Sequence, residues 1–149
     1  ITVPPPVSTV IARDPGGYLA GLTLFRMGGL DTWTEWMATA LERSSQVAIA
    51  LMEGTEALRK EWRFRIAGLR EDSSAWRLLD QFIEQPVLSA SVAADRLGMS
   101  VRATQGALHA LAERGIVERY QPAGTRRGRP TQYWVARELI ELVADPGGV

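Results

Sequence analysis

The 149-residue chain carries 17 basic and 17 acidic side chains, so it has no net charge, and 46% of its residues are hydrophobic. This composition provides enough apolar surface for a core and excludes a whole-chain electrostatic case for nucleic acid or a membrane surface. The absence of cysteine excludes disulfides and thiolate chemistry. No apolar run approaches the roughly 20 residues that a spanning helix needs. Ile1 is not an initiating residue, so the chain is expected to be a piece of a longer protein, with the cytoplasm as its default location.

Taken in order, residues 1–8 contain Pro4-Pro5-Pro6, which fixes an extended backbone and predicts a linker or arm. Asp14-Pro15-Gly16-Gly17 is a turn signal, and a short helix is expected over residues 18–27, ended by Gly28-Gly29. Asp31 is placed as the N-cap of a long helix over residues 32–69. Trp33, Trp36, Met37, Ala40, Leu41, Val47, Ile49, Leu51, Leu58, Trp62, Ile66 and Leu69 give that segment its apolar positions. Gly54 is its weak point, at a cost of roughly 1 kcal/mol in a helix interior. Gly54-Thr55 alone is a poor turn, so one rod is expected rather than two helices. A rod of that length cannot bury its stripe on itself, which predicts a homodimer through the long helix. Arg63, Arg65, Arg70, Glu61 and Glu71 read as ordinary solvated charges.

Residues 73–145 have a different rhythm. Ser73 or Ser74 caps a helix with Trp76, Leu79, Phe82 and Ile83 inward, and Pro86 ends it. Val87-Leu88-Ser89 is a candidate strand. A second helix over residues 91–97 turns Val92, Ala93 and Leu97 inward. Leu97-Gly98-Met99-Ser100 is then a tight turn, because Gly98 tolerates the left-handed backbone and Ser100 can cap the next helix. In that third helix Thr104, Ala107, Leu108 and Leu111 recur at helical spacing, so Arg102, Gln105, Gly106 and His109 face outward. Gly115 stops it. Strands are expected over residues 116–120 and 131–135, flanking the loop Pro122-Ala123-Gly124-Thr125-Arg126-Arg127-Gly128-Arg129-Pro130. Leu139, Ile140 and Val143 form a closing helix. The pattern is that of a winged helix-turn-helix. The fold class is therefore mainly α: a helical segment over residues 1–72 with one long helix, then a winged helix-turn-helix over 73–145 with a small antiparallel wing.

Chemistry in this sequence points to binding. Between residues 96 and 129 there are seven arginines (96, 102, 114, 119, 126, 127, 129) against Glu113 and Glu118, a local excess of five positive charges. Such a local excess is the footprint of phosphate binding. Arg102 pairs well with guanine and Gln105 with adenine, by two hydrogen bonds each, and His109 follows one turn later. Gly106 removes bulk from the same face. Arg126, Arg127 and Arg129, with Thr125 beside them, suit phosphates or the minor groove. Ser100 sits where its backbone N–H and hydroxyl can meet a phosphate. The expected partner is double-stranded DNA, contacted by Ser100, Arg102, Gln105, His109, Thr125, Arg126, Arg127 and Arg129. The alternative is a protein-interaction module. His109 is the only histidine, so a metal site would have to rest on it and carboxylates. No cofactor, metal or catalytic residue is expected.

Pro5-Pro6-Val7-Ser8, Tyr18-Leu19-Ala20-Gly21-Leu22, Arg26 and Asp31-Thr32-Trp33-Thr34-Glu35-Trp36 resemble the region after the catalytic core of bacterial Fic (filamentation-induced-by-cAMP) proteins. There a proline-containing segment, a Tyr-containing helix and a long Trp-containing helix lead into a C-terminal winged helix. The family motif, His-Pro-Phe followed by Gly-Asn-Gly-Arg, is absent, and His109 is followed by Ala110. The resemblance implies an adenylyl-transferring core upstream of Ile1, a possible partner for this chain, and carries over no catalytic residue. The winged part is similar to DNA-binding domains of bacterial transcription regulators at Ser100, Ala107, Leu108, Leu111 and Gly115-Ile116-Val117.

Overall fold

The computed structural model describes residues 6–122 and 131–145. Among them are seven helices and three strands. They are α1 Val7–Arg13, α2 Pro15–Arg26, α3 Leu30–Arg65, α4 Ser74–Glu84, β1 Val87–Ser89, α5 Ala90–Leu97, α6 Val101–Ala112, β2 Glu118–Tyr120, β3 Tyr133–Val135 and α7 Arg137–Ala144. The chain is mainly helical, with one long helix and a three-stranded antiparallel sheet in the order β1-β3-β2. Two compact units, Ile1–Glu53 and Gly54–Val149, part within α3.

In the first unit the helices begin earlier than expected. Helix α1 takes in Val7 and Ser8, the end of the expected arm, and continues to Arg13; Pro6 occupies its N-cap, where a missing N–H costs no intrahelical bond. The Asp14-Pro15 pair is a helix start rather than a turn. Asp14 accepts from the Gly17 N–H at 2.8 Å, and Pro15 is the first residue of α2. Asp31 is not the cap of α3, which starts at Leu30. Its carboxylate lies in the first turn, where it still complements the positive helix end. Gly21 is buried, and a Cβ there would come within 3.0 Å of the Trp33 ring. Tyr18, Trp33 and Trp36 pack mutually, with the two indoles stacked at 5.7 Å.

The long helix is single, as expected, but ends at Arg65 rather than residue 69. Its last turns form part of the second unit's core. Trp62 and Ile66 are fully buried with Leu78, Leu79 and Phe82 of α4 and Leu108 and Leu111 of α6. The charges nearby are not merely solvated. Arg59 donates to Asp80 at 2.7 Å, and Arg63 reaches the same carboxylate at 3.3 Å. Arg65 donates to Glu138 at 2.9 Å, and Trp62 Nε1 donates to Glu138 at 2.6 Å. Burial pushes the Glu138 carboxyl up, but the hydrogen bonds from Arg65 and Trp62 and the charge of Arg65 outweigh it. The group is held below its ordinary value. Gly54 lets α7 approach, since a Cβ there would lie 2.7 Å from Leu142 Cδ1.

Two facings differ from expectation, those of α5 and α4. Ala93 and Ala94 are buried on α5, while Val92 is exposed. On α7 the inward pair is Leu139 and Leu142, leaving Ile140 and Val143 on the surface. On α4 the buried positions are Ala75, Leu78, Leu79 and Phe82, with Trp76 and Ile83 half-buried.

Candidate nucleic-acid interface

The candidate surface is built on the α5–α6 connection. Ser89 caps α5, and Gly98 ends it with φ +60°. Met99 N–H then returns to the Ala94 carbonyl at 2.9 Å, closing the C-terminal motif that a left-handed residue permits. Arg77 of α4 donates to the Leu97 carbonyl at 2.6 Å, so the turn is tied to a third helix. Ser100 caps α6 by accepting from Ala103 N–H at 3.2 Å. Its hydroxyl hydrogen remains able to donate.

One face of α6 is fixed. Thr104, Leu108 and Leu111 are fully buried, with Ala107 nearly so, and the Thr104 hydroxyl is satisfied by the Ser100 carbonyl at 3.1 Å. The other face presents Arg102, Gln105, Gly106 and His109, all exposed. A Cβ at Gly106 would meet nothing within 4 Å, so the glycine is not demanded by packing inside the chain. The structure thus brings Arg102, Gln105 and His109 onto one exposed face of α6, with Ser100 exposed at its N-cap rather than on that face. Thr125, Arg126, Arg127 and Arg129 lie outside the described residues.

The strands beside this face hold a cluster that the sequence reading did not assemble. Arg119 on β2 faces Trp134 on β3 in the antiparallel register. The Arg119 guanidinium lies over the Trp134 ring, 5.2 Å from its centroid. Arg119 Nη2 is 3.0 and 2.9 Å from the two ring nitrogens of His109. The imidazole meets Trp134 edge-on at 5.2 Å. Trp134 is 2% exposed, whereas Arg119 and His109 are both on the surface. The signal for this cluster was present in the Glu118-Arg119-Tyr120 and Tyr133-Trp134-Val135 runs. It becomes visible only once the strand register is known.

The local charge excess is redistributed. Arg114 does not join the exposed face. It donates to the Ala110 carbonyl at 2.8 Å, beside Glu113. Glu118 is paired with Arg137 of α7, which lies beyond the arginine-rich stretch. Glu113 thus pairs with Arg114 at the C-terminal end of α6, and Glu118 with Arg137 of α7. Among the described residues, Arg102 and Arg119 have no acidic partner within salt-bridge distance. Among the described residues there is also no group of three potential metal ligands, and no helix is long and apolar enough to cross a membrane.

Compared with known proteins, the chain matches no protein-family model and no curated protein.

Proposed function

We propose that the second unit is a winged helix-turn-helix domain that binds double-stranded DNA, with α6 as the recognition helix. The observation that carries this reading is the split of α6. One face is locked into the core, and the other offers Arg102 and Gln105 around an unfilled Gly106, with His109 exposed one turn further on. A rigid helix with outward donors and a missing side chain suits close approach to base edges in the major groove. The element order supports the same reading: three helices, a strand inserted between the first two, and a two-stranded hairpin after the third. Arg126, Arg127 and Arg129, between β2 and β3 in sequence, would add phosphate contacts.

Binding of a mixed-sequence duplex by the whole chain, measured across a salt series, tests the proposal. Affinity should fall steeply as salt rises, with log K linear in log salt. Substituting Arg126, Arg127 and Arg129 together by Ala should flatten that line. Absence of binding at low salt, or a salt-independent affinity, would sink the reading.

A second reading concerns the long helix. Leu41, Ile49 and Met52 of α3 are each about half exposed, which favours an intermolecular role for that helix. We infer a homodimer through α3, testable by light scattering of the wild type and of a Leu41→Glu, Ile49→Glu variant. The Fic-like residues of the first unit support placing the chain after an adenylyl-transferring core in a cytoplasmic protein. The coding sequence upstream of Ile1 tests that placement: a His-Pro-Phe…Gly-Asn-Gly-Arg motif is expected there.

A further inference from the structure

We infer that Arg119 is an additional DNA-contacting residue, and that His109 serves to position it rather than to read a base. The inference rests on the DNA-binding reading of α6 and extends it to β2. Three observations carry it.

The first is preorganisation. An exposed arginine ordinarily samples many rotamers, and ordering it on binding costs conformational entropy. Arg119 is held on two sides in the unbound chain, by the face of Trp134 and by the imidazole of His109. Trp134 is buried and paired on both sides, to Leu88 of β1 and to Arg119 of β2, so the platform itself is fixed.

The second is charge. The neighbouring acid on β2, Glu118, is already engaged by Arg137. Arg119 keeps its positive charge without an acidic partner within salt-bridge distance among the described residues.

The third is location. His109 projects from the exposed face of α6, two turns after Arg102, and Arg119 touches it. The guanidinium therefore borders the recognition face rather than sitting elsewhere on the sheet. Nη2 of Arg119 lies 3.0 and 2.9 Å from the two ring nitrogens of His109, and since at most one of them can accept its N–H, the arginine takes the imidazole's acceptor. A side chain so engaged is poorly placed to read a base edge. Its contribution runs through Arg119.

Duplex affinity of the whole chain, measured over a salt series, separates these roles. Arg119→Gln is expected to lower the slope of log K against log salt by about 0.9, the signature of one lost phosphate contact. Arg119→Lys should restore the slope while leaving affinity below wild type, because an ammonium keeps the charge but not the planar stack. His109→Ala should weaken binding without changing the slope, and His109→Gln should recover part of the loss. In an Arg119→Gln background, His109→Ala should have no further effect.

An unchanged slope in Arg119→Gln, alongside a lowered slope in Arg102→Gln, would overturn the Arg119 contact and leave the DNA reading standing. An equal loss from His109→Ala in both backgrounds, or no loss in either, would overturn the positioning role. Failure of the wild-type chain to bind any duplex would remove the underlying reading and this inference with it. Thermal melting of each variant confirms that it is folded, and all these positions are exposed.

Discussion

On the last turns of α3, Arg59, Arg63 and Arg65 each reach a carboxylate on another helix, Asp80 or Glu138. On α6 and β2, Arg102 and Arg119 reach none among the described residues. All five belong to the second unit and none is deeply buried. The difference lies in what surrounds them. The α3 arginines are neutralised by acids brought from α4 and α7, and they help hold three helices together. The α6 side keeps its charge, because its local acids are used by Arg114 and Arg137. A positive charge that the fold leaves uncompensated is available to a polyanion, and one that the fold compensates is part of the scaffold.

Breaking the compensated side should cost the most stability. Trp62→Ala removes a fully buried indole and one of the hydrogen bonds to Glu138, and should destabilise the chain by about 3–5 kcal/mol in urea unfolding. A loss under about 1 kcal/mol would mean that the end of α3 is not part of the core.

The next largest effect should have opposite signs in stability and binding. Gly106→Ala fills open space in a helix interior and should stabilise by about 1 kcal/mol while weakening duplex binding. The same change at Gly54 should gain less, because the new methyl would sit 2.7 Å from Leu142 Cδ1. Equal gains at the two sites would show that α7 does not pack closely on α3. Unimpaired binding by the Gly106 variant would remove the case for close approach there.

Smaller effects sharpen the contrast between the arginines. Asp80→Ala should cost no more than about 1 kcal/mol, since its carboxylate and its partners are partly solvent-screened. Arg102→Ala should change stability by less than about 0.5 kcal/mol and yet lower the salt slope of binding by about 0.9. The smallest effect concerns pH. Glu138 is held below its ordinary value of 4.5 in the folded chain, so the unfolded chain takes up that proton more readily. Its contribution is complete above about pH 4.5 and is lost as pH falls through the depressed value. Glu138→Gln should therefore flatten the acid limb of a stability-against-pH curve. Because the side chain is 37% exposed, solvent screening keeps the effect modest.

Local chemistry made the α4–α6 region legible. Ser73, Ser100 and Gly98 do their work within a few residues, so their types and spacing were enough. The apolar period of α6 was long enough to assign both faces. Short elements were less readable. In α7 an eight-residue helix offers too few turns to fix its phase, and Leu142 rather than Val143 points inward. Asp14 was read as part of a turn and Asp31 as a cap, whereas Asp14 caps α2 and α3 starts one residue before Asp31. Long-range pairs were invisible. Trp62 and Glu138 are 76 residues apart, and Arg119 meets Trp134 only through strand register. The part of the candidate site on α6 could be named in advance; the part on the sheet could not.

The foot of the β2–β3 hairpin is pinned three ways: by the paired register from Glu118 to Tyr120, by the Ala136 N–H donating to the Pro86 carbonyl at 2.8 Å, and by the Arg137–Glu118 pair. Closure entropy rises only with the logarithm of loop length, so such a foot can carry inserts of many lengths at little thermodynamic penalty. The hairpin is thus a grafting point. The sequence between the two strands can change in length while α6 and its supports stay as they are, which separates that stretch from the folding of the unit.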